Sequence, residues 1–137
     1  MANEKIVDEF DFSWGGTDIC GDSHNINMSR TLTNVRTNCG NNVVAGANTY
    51  ALDLSGPLGF GTNSTEDVLF TAMTTESAQA WETDPDGTGT ASTTNPILSG
   101  SALAESFSIS LSVQNPVTFS FNAQGTDSSG MPTRTTS

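Results

Sequence analysis

The sequence predicts a mainly β domain, an antiparallel β-sandwich or small barrel with one short flanking helix over about residues 64–74. Three observations carry that reading. The first is the stretch 107–123. Phe107, Ile109, Leu111 and Val113 alternate with Ser106, Ser108, Ser110 and Ser112. After Gln114-Asn115-Pro116, Val117, Phe119, Phe121 and Ala123 alternate with Thr118, Ser120, Asn122 and Gln124. Successive strand side chains point to opposite faces, so this is a hairpin with one apolar and one hydroxyl or amide face. The second is composition: 14% charged and 34% hydrophobic residues leave a balance rich in Ser, Thr, Asn and Gly. Those residues compete with helical backbone bonds and favour turns and short strands. The third is that a single segment carries a convincing helix start.

Taken in order, Ile6, Phe10, Phe12 and Trp14 share one parity, which predicts a first strand over 5–14, ended by Gly15-Gly16. Residues 16–21 read as an extended corner between turns. Ile26, Met28 and Leu32 oppose Asn25, Asn27, Ser29 and Thr31, a second strand over about 24–32. Arg30 interrupts its apolar parity, the mark of a bulge or a sheet edge. Residues 33–48 mix Asn and Gly with isolated Val35, Val43 and Val44 and read as a long loop, a connection that tends to be functional. Tyr50, Leu52 and Leu54 make a third strand over 49–54, closed by the Gly- and Pro-rich 55–61.

Ser64-Thr65-Glu66-Asp67 resembles a capping box with its acids at the positive helix end, and Val68, Leu69, Ala72 and Met73 form an apolar face with Phe70 at its margin. So short a helix needs a sheet to lie on. Residues 78–83 read as a strand carrying Trp81, Asp84-Pro85-Asp86-Gly87 as a turn, and 88–95 as a flexible loop or polar strand. Pro96-Ile97-Leu98 and Ala102-Leu103-Ala104 step into the 107–123 hairpin. The expected organisation is a single β-sandwich domain over 1–125 with a long loop at 33–48, then a flexible C-terminal tail over 126–137.

The net charge is −11, from 15 acidic and 4 basic residues. A nucleic-acid binder needs clustered Lys and Arg to release counterions, and Lys5, Arg30, Arg36 and Arg134 are far apart. Direct nucleic-acid binding is disfavoured. No basic residue lies between Asp53 and Glu105, a stretch holding Glu66, Asp67, Glu76, Glu82, Asp84 and Asp86. That pattern fits a soluble acidic surface or one that repels polyanions. The N-terminal residues show no apolar signal core, and no run reaches membrane-spanning length, so synthesis in a cytoplasm is expected. Free thiols are then the expectation for Cys20 and Cys39.

Chemistry is sparse. Cys20, His24 and Cys39 fall short of the four ligands of a structural zinc site. Asp84-Pro85-Asp86-Gly87 begins like a calcium loop but lacks the distal bidentate Glu. Nucleophile-elbow, phosphate-loop and zinc-helix motifs are missing, and Glu9 and Asp11 read as exposed strand acids. An enzyme is not expected, nor any cofactor or metal.

Several stretches together carry a family resemblance: the opening strand ending in Trp14-Gly15-Gly16-Thr17-Asp18-Ile19, the polar strand 24–31 followed by its long loop, Asn48-Thr49-Tyr50-Ala51-Leu52-Asp53-Leu54-Ser55-Gly56, the short helix 66–73, Pro96-Ile97-Leu98-Ser99-Gly100, and Pro116-Val117-Thr118-Phe119-Ser120-Phe121. In this order they resemble the phage tail tube (major tail) proteins of long non-contractile-tailed phages. The resemblance implies hexameric rings stacked into a tube that conducts DNA without specific binding, alongside other phage tail proteins, in a virion tail. The candidate assembly residues are Val35, Asn41, Val43 and Val44 in the long loop and Ser108, Ser110, Thr118 and Ser120 on the hydroxyl face. Two other roles remain open: a capsid decoration protein of the phage head, and a carbohydrate-binding module stacking sugars on Trp14, Tyr50 or Trp81.

Overall fold

A computed structural model describes residues 9–62 and 64–137. Of the predicted first strand, 5–8 lie outside the described residues. Of the remainder, 9 and 10 precede the strand and β1 (Asp11–Trp14) turns through Gly15-Gly16 into β2 (Thr17–Ile19). Both glycines have positive φ, 59° and 88°, the geometry of a two-residue hairpin turn whose twist matches the strands. Residues 17–19 of the corner predicted at 16–21 are therefore a strand.

The other elements are β3 (Ser23–Thr37), β4 (Gly40–Pro57), α1 (Thr65–Thr74), β5 (Gln79–Asp84), β6 (Ile97–Ser110), β7 (Thr118–Gly125) and β8 (Thr133–Thr135). They form one open antiparallel eight-stranded sheet, ordered β2-β1-β5-β6-β7-β4-β3, with β8 beside β6. The predicted mainly β class with one helix holds. The sheet folds over, because members near its two ends touch: His24 of β3 lies 4.9 Å from the Phe12 ring of β1, and its Nε2 is 2.9 Å from Thr83 Oγ1 of β5. Long β6 links the halves, pairing with β5 through Ala102 and with β7 up to Ser110, with a register shift between Ala104 and Ser106.

The core lies between the halves. Phe12, Trp14, Tyr50, Leu52, Leu54, Trp81, Phe119, Phe121 and Ala123 are buried with Leu69 and Ala72 of α1. Trp14 meets Phe121 edge-on at 5.2 Å, and its indole N–H donates to Gln79 Oε1. The Ser64 hydroxyl accepts the Asp67 N–H at 3.4 Å, as the capping pattern predicted. Thr65, Leu69 and Ala72 make the buried face of α1, whereas Met73 is 41% exposed and drops out of the predicted stripe.

Three expectations need correction. Residues 33–48 are not a loop: β3 and β4 pair continuously to a tip at Asn38-Cys39, with a register shift between Arg30 and Leu32. Both faces of this arm are exposed, so no burial imposes the alternation that marks a strand in sequence. Arg30 does mark both a bulge and an edge strand. The 107–123 hairpin stops short: β6 ends at Ser110, and Leu111 (75% exposed) and Val113 (89%) sit in its connection, where Gln114 takes φ 67°. Finally, residues 126–137 are tied down. Asp127 accepts the Ser101 N–H, the Gly130 N–H bonds the Asp127 carbonyl, and β8 pairs Thr133–Thr135 with Ile97–Ser99. Asp-Ser-Ser-Gly is a turn with Gly130 at φ 71°, a local signal that could have been read.

Candidate assembly surface

Register decides which residues share a face, since directly opposed residues point the same way. Ser108 pairs with Ser120, Ser120 with Ser55, and Ser55 with Ser23, so one row of serines crosses β6, β7, β4 and β3. Beside it run Ser110, Thr118 and Pro57, and on the other flank Ser106, Asn122, Asp53 and Asn25. Asn122 Nδ2 donates to Ser106 Oγ at 2.9 Å and Asn25 Nδ2 to Asp53 Oδ1 at 3.0 Å. Asp53 is the one charge in these three rows. Ser108, Ser110, Thr118 and Ser120 are exposed and adjacent, as the hairpin pattern required. Ser23 and Ser55 join them only through a strand order that alternation cannot supply.

Val35, Asn41, Val43 and Val44 lie at the far end of the same sheet, on the arm. Val44 opposes Thr33 and Val35 opposes Asn42 on the serine-face side, while Val43 opposes Asn34 and Asn41 opposes Arg36 on the other. With Leu32 (62% exposed), Val43 (62%) and Val44 (50%), the arm presents apolar groups on both faces. Sequence reading groups Leu32 with Ile26 and Met28 by parity in the second strand and so does not single it out.

Charge is segregated. The β2-β1-β5 outer face carries Asp11, Asp18 and Glu82, all exposed, about Ser13, which pairs with both Asp18 and Glu82. The serine face is close to neutral, so the polyanion-repelling surface expected from 53–105 does not coincide with it.

Of the groups considered for chemistry, His24 and Asp84 are engaged in holding the fold. Among the described residues no group of three or more His, Cys, Asp or Glu is placed to hold a metal ion. Cys20 and Cys39 are exposed and unbonded. His24 Nδ1 donates to the Asp53 carbonyl at 2.6 Å, leaving Nε2 to accept from Thr83 Oγ1. Asp84 accepts the Asp86, Gly87 and Gly89 amides and the Asn95 side chain. Trp14, Tyr50 and Trp81 are at most 2% exposed, which removes the sugar-stacking role.

Two acid-sensitive limbs follow. Burial lowers the His24 pKa from the ordinary 6.5, only partly offset by the Asp53 carbonyl and charge. Its neutral form therefore stabilises the fold fully above 6.5, and that contribution is lost as pH falls through the lowered value. For Asp84, burial alone would raise the pKa, but hydrogen bonds from Asn95, Gly89, Asp86 and Gly87 outweigh it and hold the carboxyl below 3.8. Its contribution persists above 3.8 and disappears as pH falls through the folded value. Urea midpoints measured from about pH 8 to about pH 3 should fall in two stages. His24→Asn should flatten the first stage; an unchanged profile would contradict the buried neutral imidazole.

No protein-family model matches the chain, and no curated protein matches it significantly. Solved structures share its fold. A chain of the native gene transfer agent virion aligns with TM-score 0.67 and 12% identity over 86% of this chain and 87% of that one. A chain from the tail of an empty gene transfer agent particle, refined with C6 symmetry, aligns at 0.64 and 12% over 88% and 84%. One from the six-fold symmetrised baseplate of an anti-feeding prophage aligns at 0.69 and 12% over 98% and 97%.

Proposed function

We propose that this chain is a self-assembling structural subunit of a tail tube, a virion protein made in the host cytoplasm. Its rings, six-membered, stack into a tube through which DNA passes during ejection. The observation that carries the reading is the Ser, Thr and Asn surface spread over β6, β7, β4 and β3, which holds Asp53 as its one charge. Solvent-facing strands ordinarily carry Lys or Glu, which also guard against edge pairing. A bare hydroxyl face suits subunit packing or a lumen to which a polyanion does not adhere. Two sheet edges give the ring its joints: β3 ends the strand order, and beyond Ala102 no described strand pairs with the β5-facing edge of β6. Laying β3 of one copy along that edge of the next continues the sheet head to tail.

The likeness to chains of a gene transfer agent tail and an anti-feeding prophage baseplate supports the reading at the level of fold. Those particles do not point to long non-contractile-tailed phages in particular, so the proposal is a tail tube subunit without that restriction. A head decoration protein would make a different prediction when particles are separated into heads and tails. The chain is expected to leave with the tails, in register with other tail proteins. Copy numbers that track the head shell would replace the tube reading with the decoration one.

A further inference from the structure

We propose that the arm of one copy docks on the acidic outer face of β2-β1-β5 in a second copy, setting Arg30 and Arg36 against Asp11, Asp18 and Glu82. The inference rests on the tube-subunit reading and names the surface that receives its arm.

Residues 23–52 contain no Asp or Glu, although the chain has 15. Arg30 and Arg36 are two of its 4 basic residues. Both occupy the same parity of β3, opposite Asn48 and Asn41, so each guanidinium faces a neutral amide. Arg30 Nε donates to Asn48 Oδ1 at 2.9 Å, and neither arginine has an acidic partner among the described residues. Leu32 lies between them with Val43 close by, each 62% exposed. A two-stranded ribbon open to water on both faces is marginally stable, and this one extends roughly 25 Å beyond the core at strand rise. It is built to be covered.

The complementary surface is on the same molecule. No Lys or Arg occurs in β1, β2 or β5. Asp11, Asp18 and Glu82 are exposed, with exposed Glu9 preceding β1, and none meets a basic side chain among the described residues. Like charges on neighbouring strands repel one another, and an arriving arginine pair relieves that repulsion. The arm strand β3 and the acidic strand β2 are the two ends of the strand order. The contact is therefore heterologous and propagates from copy to copy.

Cys39, exposed at the arm tip, supplies the probe. In a Cys20→Ser background, Cys39 is labelled with a photoactivatable thiol-reactive cross-linker, and isotope-mixed purified protein is irradiated. The expected cross-links join different copies and map to peptides spanning 9–19 and 79–86. Arg30→Glu with Arg36→Glu should weaken self-association at least roughly tenfold and abolish the cross-link, because like charges across an interface are strongly unfavourable. Mixing that variant with an Asp11→Lys, Glu82→Lys copy should restore it, which also answers any concern about misfolding. Cross-links to the serine face, or cross-links indifferent to charge reversal, would overturn the docking. Rings or tubes with cross-links elsewhere sink the docking and leave the tube reading intact. The mapped cross-link without rings or tubes does the reverse.

Discussion

Gly125→Ala is expected to destabilise the fold by about 3 kcal/mol, near the upper end of overpacking penalties. An added Cβ would lie 2.3 Å from Cε1 and Cζ of Tyr50. The ring has nowhere to go, because Tyr50 is 1% exposed and its hydroxyl is held from several sides. Its oxygen lies 2.9 Å from the Ser101 carbonyl, contacts Asp127 Oδ2, and accepts the Trp81 indole N–H at 3.0 Å. Burial and the Asp127 carboxylate push the phenol pKa up to about 12, so the hydroxyl remains a donor at neutral pH. Yielding to the methyl would break a network that joins β4, β5 and β6 to the β7–β8 connection. Thermal unfolding followed by circular dichroism should show a midpoint lower by roughly 10 °C. Gly59 is the control: nothing lies within 4 Å of a Cβ there, so Gly59→Ala should stay within about 0.5 kcal/mol of the parent. Equal losses at both positions would contradict the wedge.

Ser110→Lys combined with Ser120→Lys should abolish assembly and leave the monomer folded. Both serines are exposed on the hydroxyl face, and neither makes a side-chain hydrogen bond among the described residues. The substitutions should change monomer stability by no more than about 0.5 kcal/mol each. On an assembly surface they place two charges where neither counter-charge nor water is available, and buried unpaired charge is strongly unfavourable. Sedimentation velocity is expected to show oligomers for the parent and monomer for the double variant, with matching thermal midpoints. A variant that assembles like the parent would remove the face from the interface.

What could be read from sequence was what burial writes into it. The Phe119, Phe121, Ala123 and Tyr50, Leu52, Leu54 alternations named their strands because one face of each is packed. The Ser64 cap located α1, and Gly15-Gly16 located a turn. The arm was invisible for the converse reason: with both faces in water, Thr, Val and Asn alternate without apolar contrast. Strand order was equally hidden, so the candidate serines were found two strands at a time and Ser23 and Ser55 not at all. The C-terminal segment reads as mobile in sequence because its anchors, the Asp127 carboxylate on the Ser101 amide and the three-residue β8, leave no periodic pattern. Charge counts located the acids along the chain but not on a face. Only the register separates Asp11, Asp18 and Glu82 from the hydroxyl rows.

Self-assembly into rings that stack as a tube can be seen directly. The decisive measurement is electron microscopy of the concentrated purified protein, with two-dimensional class averages of end and side views. Closed six-fold rings and stacked tubes are expected for the parent protein, absent from the Ser110→Lys, Ser120→Lys variant. A monodisperse monomer at every concentration would contradict self-assembly.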